Sequence, residues 1–235
     1  MPMLEVRDLN VFYGEFQALF DIHLEVSKGQ IVSLLGANSA GKSTLLKTIT
    51  GILRSASGTI TFDGRRIDQL ESHDIINLGV ALVPEGRKIF SALTVRENLL
   101  IGSYTPRARR MRNETFERVL SLFLPLKARL NRKGTTLSGG EQQMLSIGRA
   151  LMSQPQFIIF DEISLGLSPL VTKELYRAIM EINLKGVTSV IVEQDVKRSL
   201  KAANYAYILQ EGKITLEGEP GSFNEEMVRR AYFGL

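Results

Sequence analysis

Eight residues, Gly36-Ala37-Asn38-Ser39-Ala40-Gly41-Lys42-Ser43, constrain this chain more than any others. They match the pattern G-x-x-x-x-G-K-[ST], in which glycines let backbone amides turn inward toward phosphate oxygens and the next helix offers its positive N-terminal end. Its four fixed positions arise by chance in about 1 of 100 chains of this length, so context has to decide. Context is favourable: the apolar run Ile31-Val32-Ser33-Leu34-Leu35 reads as a buried strand, and Lys42 to Ile52 reads as the helix that follows. In a loop of this form Lys42 reaches the β- and γ-phosphates of a bound nucleotide, and the Ser43 hydroxyl takes a Mg2+ coordination position.

Other short apolar runs, Phe157-Ile158-Ile159-Phe160, Val190-Ile191-Val192 and Ala81-Leu82-Val83, suit strands covered on both faces of a parallel sheet. Leu4-Glu5-Val6 and Leu24-Glu25-Val26 alternate as half-exposed strands do, and Thr59-Ile60-Thr61-Phe62 closes on the turn pair Asp63-Gly64. Val171, Leu175, Ile179 and Ile182 recur at helical spacing, with Gly186 as a stop. Residues from about 90 to 150 read as mainly helical, ending before Pro155, with Arg107 to Arg112 as an exposed connection. The expected fold class is α/β: a parallel core sheet, an antiparallel β portion over about residues 1–30 and 58–70, and a helical insertion over about 88–150. Strands of one sheet flank the insertion, so residues 1–235 are expected to form a single domain.

The second half of a nucleotide site is an apolar strand ending in carboxylates, which Phe157 to Phe160 followed by Asp161-Glu162 supplies. Asp161 is placed to hold Mg2+ and Glu162 to act as general base toward the attacking water. Alone, two acids at a strand end would mark only its exit into solvent; the phosphate loop turns the balance.

Composition narrows the remaining options. The chain has no cysteine, which excludes disulfides, thiolate metal sites and cysteine nucleophiles. Its formal charge of +4 is mild and compatible with a phosphate-rich ligand, without singling out nucleic acid. The N-terminus carries Glu5, Arg7 and Asp8 and is not a signal peptide, and no apolar run approaches the roughly 18 residues that span a bilayer.

Just ahead of the Asp161-Glu162 strand lies Leu137-Ser138-Gly139-Gly140-Glu141-Gln142-Gln143, a helix start whose amides can grip an anion. In this position it resembles the signature motif of ATP-binding-cassette (ABC) ATPases, and the resemblance covers essentially the whole chain. It implies a RecA-like P-loop NTPase core with the family's antiparallel β and helical subdomains. It also implies that two cassettes face each other head to tail, each ATP lying between one phosphate loop and the other's signature motif. The nucleotide contacts then extend from Gly36 through Ala37, Asn38, Ser39, Ala40, Gly41, Lys42, Ser43 and Thr44 to a facing subunit's Ser138, Gly139, Gly140 and Glu141. Tyr13 matches the aromatic that stacks on adenine, with the adjacent Phe12 as the alternative.

Glu85, in Pro84-Glu85-Gly86-Arg87, stands where the family usually has a Gln near Mg2+ and the attacking water, which implies catalytic and metal roles for it. Gln194, in Val192-Glu193-Gln194, stands where most members have a γ-phosphate-sensing His, and its amide can still donate a hydrogen bond. Together with Ser164-Leu165-Gly166-Leu167 and the ending Val228 to Gly234, these motifs resemble the second ATPase subunit of branched-chain amino acid importers. In that group Glu and Gln at the two positions are usual. Two departures remain, Ser39 in place of a usual Gly and Ile163 in place of a usual Pro.

The resemblance implies a peripheral subunit on the cytoplasmic face of the membrane, using ATP and Mg2+. Its expected partners are a second ABC ATPase, as homodimer or heterodimer, transmembrane permease subunits, and indirectly an extracytoplasmic solute-binding protein; no nucleic acid is expected. Ile89, Phe90 and Leu93 could line the groove that receives a permease helix, with core packing as the competing reading. Arg107, Arg109, Arg110 and Arg112 read as a solvated face. Importers of urea or short-chain amides are a close variant. A soluble cassette of translation or repair fits poorly, since the chain has one copy and no long insertion. A low-turnover regulatory switch is the third reading, motivated by Gln194.

Overall fold

The computed structural model describes residues 2–234. β1 (Pro2–Tyr13) and β2 (Phe16–Ser27) form a hairpin, and β3 (Ile31–Leu35) runs through the glycine loop into α1 (Lys42–Ile49). Next come β4 (Ser57–Phe62), β5 (Arg65–Arg66), α2 (Ser72–Asn77) and β6 (Val80–Val83). The helical stretch comprises α3 (Val95–Ile101), α4 (Pro106–Arg110), α5 (Arg112–Leu122), α6 (Leu124–Lys127) and α7 (Gly139–Leu151). The chain then alternates β7 (Phe157–Asp161), α8 (Pro169–Leu184), β8 (Thr188–Glu193) and α9 (Val196–Ala202). It finishes with β9 (Tyr205–Gln210), β10 (Lys213–Gly218) and α10 (Glu225–Phe233).

The strands form two sheets. One is antiparallel, in the order β2-β1-β4-β5, and the other runs β10-β9-β3-β8-β7-β6 with every neighbour parallel except the β10–β9 edge pair. The alternating residues of β1 and β2 leave one face of the small sheet to solvent. The continuous apolar runs of β3, β7 and β8 are buried on both faces instead. On β7 the pleat divides the two core clusters. Phe157 and Ile159 pack with Leu9, Leu19 and Leu45 between the sheets, whereas Ile158 and Phe160 pack with Leu99, Leu145 and Ile179 under the helices.

Local chemistry explains where sequence expectation and structure part. The helix after the glycine loop was expected to reach Ile52, but it stops at Ile49 because Gly51 turns left-handed (φ 70°) and Ile52 N–H bonds back to Lys47 O at 2.8 Å. The Arg107 to Arg112 stretch is exposed as expected yet largely helical. Thr105 caps it by accepting from Ala108 N–H, Pro106 starts it, and buried Ala108 anchors it. β9 and β10, which sequence reading did not identify, meet at a tight turn, Glu211 (φ 47°) and Gly212 (φ 75°). Gly212 N–H donates to Ala40 O of the glycine loop at 2.9 Å, and Phe20 N–H of β2 donates to Gly212 O at 2.9 Å. A Cβ at Gly212 would lie 2.4 Å from Ala18 O, so only glycine fits there.

Candidate functional site

In a parallel sheet, ligands collect beyond the carboxyl ends of the strands. The order β3-β8-β7-β6 brings four such ends side by side: the glycine loop after β3, Gln194 after β8, Asp161-Glu162 closing β7 and Glu85 after β6. The structure therefore gathers at one end of the sheet the groups that the sequence scatters over some 160 residues.

Lys42 is buried, and its ammonium donates to Gly36 O at 2.7 Å and Ala37 O at 3.2 Å, while lying 3.3 Å from Glu162 Oε1. Gln194 Nε2 donates to Glu162 Oε2 at 2.7 Å and to Asn38 Oδ1 at 2.9 Å. Both oxygens of Glu162 are thus engaged within the chain. Its backbone is left-handed (φ 47°), an uncommon conformation for a side-chain-bearing residue. In the glycine loop Ser39 (φ 67°) and Gly41 (φ 108°) are left-handed too. Ser39 keeps the geometry that a glycine would adopt without strain, at a cost on the order of 1 kcal/mol. Gly36 lies so close to β9 that a Cβ would meet Leu209 O at 2.4 Å.

Asp161 Oδ1 is buried without a hydrogen-bond partner. Burial chiefly, with help from the charges of Glu85 and Glu162, pushes its carboxyl up to about 6, against the opposing pull of Lys42. An orphaned carboxylate oxygen crowded by other acids is a place where a hard divalent cation fits. Among the described residues no three acidic, His or Cys side chains form an all-protein metal cage, as suits Mg2+, which keeps waters and phosphate oxygens in its shell. Glu85 stands exposed at the loop after β6, and Ser43 is exposed in the first turn of α1.

Tyr13, half exposed at the end of β1, puts its hydroxyl 3.4 Å from Thr44 Oγ1 and so sits over the start of α1. Phe12 precedes it on the strand and points to the opposite face.

Ser138 to Glu141 form a separate feature. Ser138 caps α7 by accepting from Glu141 N–H at 3.4 Å, and Glu141 Oε2 accepts from Ser138 N–H at 2.8 Å, a reciprocal capping box. Arg129 pairs with the same carboxylate. Burial raises the Glu141 carboxyl, but the Ser138 hydrogen bonds and Arg129 outweigh it and hold it below its usual value. Glu141 therefore braces the helix start. Arg87, two residues past Glu85, donates from Nη1 to Gln142 Oε1 at 3.2 Å and lies against Gly139, linking the β6 loop to α7. No hydrogen bond or ion pair joins Ser138–Glu141 to the glycine loop or to Asp161–Glu162 among the described residues.

Behind the site an apolar groove of about 390 Å3 is lined by Ile52, Ile76, Phe90, Ile101, Tyr104 and Ala150, among others. Phe90 lines it; Ile89 packs instead onto the helical core, and Leu93 is not part of the lining, because the chain turns between Phe90 and Leu93 with Leu93 N–H bonded to Phe90 O at 3.1 Å. Arg149 of α7 holds this loop, donating to Lys88 O at 2.6 Å with its guanidinium over the Phe90 ring. Arg87 and Arg149 are contacts that the sequence alone did not single out; their only signal was position, beside Glu85 and on the signature helix.

Comparison with known proteins meets this geometry. The family model described as "ABC transporter" matches residues 19–164. The high-affinity branched-chain amino acid transport ATP-binding protein BraG of Pseudomonas aeruginosa is 43% identical over 233 residues, 99% of this chain and 100% of that protein. The lipopolysaccharide export system ATP-binding protein LptB of Haemophilus influenzae is 33% identical over 240 residues, covering 100% of this chain and 98% of its own. Among solved structures, the ADP conformation of MJ1267, an ATP-binding cassette of an ABC transporter, superposes with a TM-score of 0.85 at 29% identity, covering 98% of this chain and 94% of that one.

Proposed function

This chain belongs to the ABC transporter family, and from that premise we propose that it is the ATP-hydrolysing subunit energising an importer of branched-chain or related hydrophobic amino acids. One observation carries the catalytic part: Glu162, Lys42 and Gln194 converge at the sheet edge beside an orphaned Asp161 oxygen. The amino acid cargo rests on the likeness to BraG over the full length of both chains.

Each side chain then has a task. The glycine-loop amides and Lys42 bind the phosphates, and Tyr13 covers the adenine. Asp161 and Ser43, with Glu85 nearby, would hold Mg2+, which supplies charge neutralisation between the phosphate oxygens. In the free chain Lys42 is paired with Glu162, so an arriving γ-phosphate competes for that ammonium and releases the carboxylate. Glu162, freed, accepts a proton from the attacking water. Gln194 exchanges its donor bond to Glu162 for one to the γ-phosphate. Being neutral, it does so without a titration of its own.

The exposed start of α7 fits the complementary task, presenting Ser138, Gly139 and Gly140 to nucleotide held by a facing cassette, either a second copy or a sibling subunit. The apolar groove at Phe90 fits a helix of a transmembrane permease. Among the described residues no helix is long and apolar enough to cross a membrane. A membrane location at the cytoplasmic face therefore depends on those permeases, and the extracytoplasmic binding protein is reached only through them.

Glu162→Gln tests the chemistry: nucleotide binding should persist while hydrolysis in the assembled transporter falls about 10²–10⁴-fold. A wild-type rate in that variant removes Glu162 from the role of base. Uptake of labelled leucine, with urea and short amides as competitors, tests the cargo. The likeness to LptB supports an exporter as second reading, which is sustained if loss of this chain leaves leucine uptake intact and disturbs lipopolysaccharide export instead.

A further inference from the structure

Glu193 ends β8 and is almost completely buried, 2% exposed. The chemistry set out above does not use it, and a buried carboxylate is costly to keep unless its oxygens are well bonded. Both of its oxygens are taken by one residue. Ser164 donates its backbone N–H to Oε1 at 3.1 Å and its hydroxyl to Oε2 at 3.0 Å. Burial pushes the Glu193 carboxyl up to about 7, and the two Ser164 bonds pull the other way without offsetting it.

The position of Ser164 makes the contact informative. It lies two residues beyond Glu162, in the turn that leads toward α8. Glu162 is held in its left-handed conformation from both sides. Behind it, its N–H bonds to Val192 O of β8 at 2.9 Å; ahead of it, Ser164 is fastened to Glu193. The residue after Glu193 is Gln194, whose amide reaches Glu162 Oε2 at 2.7 Å. Glu162, Ser164, Glu193 and Gln194 thus form a closed ring, joined alternately by backbone and by hydrogen bonds.

We infer that Glu193 is a positioning residue that clamps the Ser164 turn to the end of β8, so that Glu162 and Gln194 keep one fixed mutual geometry and shift together. The inference rests on the roles proposed for those two residues. It also gives the turn a mechanical meaning. Leu165, next to the clamped serine, is 55% exposed, and Gly166 is left-handed (φ 69°). A displacement of this turn is passed through Ser164 to Glu193 and from there to Gln194.

The test uses the chain assembled with its membrane partners. Glu193→Ala and Ser164→Ala should each lower kcat for ATP about tenfold while KM for ATP stays within about twofold, because phosphate binding is untouched and only the alignment of base and sensor is lost. The double variant should be no worse than Glu193→Ala, as expected when two residues act as one unit. Glu193→Gln, which can accept from Ser164 N–H and donate to its hydroxyl oxygen, should restore kcat to within about threefold of wild type. In the isolated chain, amide hydrogen exchange at residues 164–166 should quicken in Glu193→Ala while β7 and β8 stay protected. Unchanged kcat in either alanine variant, additive losses in the double variant, or equal damage in Glu193→Gln and Glu193→Ala overturns the clamp. If Glu193→Ala fails to fold, Ser164→Ala and Glu193→Gln decide the matter with the same readouts. Glu162→Gln, measured alongside, reports separately on the base itself.

Discussion

The starts of α1 and α7 are two answers to one problem. Every helix begins with amides that lack partners inside the helix. At α7 side chains fix the first turn: Ser138 accepts from Glu141 N–H, Glu141 accepts from Ser138 N–H, and Arg129 braces the pair. At α1 the cap is left-handed Gly41, which offers no side-chain acceptor. Nearby, Asp161 lacks a hydrogen bond on one oxygen and Lys42 borrows Glu162 as its counter-ion. One helix start is held in shape by its own side chains. The other has no side-chain cap, an unfinished start that the phosphate and metal proposed for it would complete.

Substitutions can break or sharpen this contrast. The largest effect should come from Lys42→Ala: nucleotide affinity of the single chain, measured by calorimetry, should fall about 100-fold with the loss of a charge-assisted contact, since the unfinished helix start depends on it. Gly140→Ala should leave that affinity unchanged, because in the proposed arrangement the capped start meets a nucleotide held by a facing cassette. Its added Cβ would meet Val171 Cγ1 at 2.6 Å, and coupled hydrolysis by the assembly should drop about tenfold.

The acids offer a sharper contrast because their effects should have opposite signs. Asp161 holds its proton to about 6 in the folded chain instead of 3.8, so the folded state binds more protons than the unfolded one across that window and loses stability as pH rises through it. Asp161→Asn should therefore stabilise the nucleotide-free chain, on the order of 1 kcal/mol above pH 6, with the gain vanishing below pH 4. Glu141, held below its usual value, contributes stability at neutral pH that is lost as pH falls through its folded value. Glu141→Gln should destabilise by about 1 kcal/mol at pH 7 and by less in acid. Thermal unfolding of both variants across pH checks the two signs in one series. Smallest of all, Ser39→Gly should relieve the left-handed backbone and raise ligand-free stability by a few tenths of a kcal/mol, read in denaturant titrations.

How much was legible in the sequence follows the same division. The phosphate loop, the Asp161–Glu162 strand end and the Ser138 cap are local patterns, and local patterns are what a sequence displays. β9 was missed because Tyr205-Ala206-Tyr207 mixes aromatic and small residues after a polar helix end, although Glu211-Gly212 was a readable hairpin signal. The arginines at 107–112 were correctly placed at the surface, but the Thr105-Pro106 helix start among them went unread. Glu193 carried no local sign of its task, since its partner Ser164 is brought to it by the β7–β8 pairing, 29 residues away in sequence. The pairing of Glu162 with Lys42 and Gln194 is likewise a product of strand order. A motif names the groups that can do chemistry, and topology decides what they touch while they wait.

The turn at Gly212 touches the glycine loop through Ala40 and the antiparallel sheet through Phe20. That one glycine ties the backbone of the glycine loop to a strand of the other sheet. The hairpin that carries Tyr13 and the loop that carries Lys42 are both joined to it. A side chain forced in at position 212 would push on both at once, since its Cβ would lie 2.4 Å from Ala18 O of that hairpin.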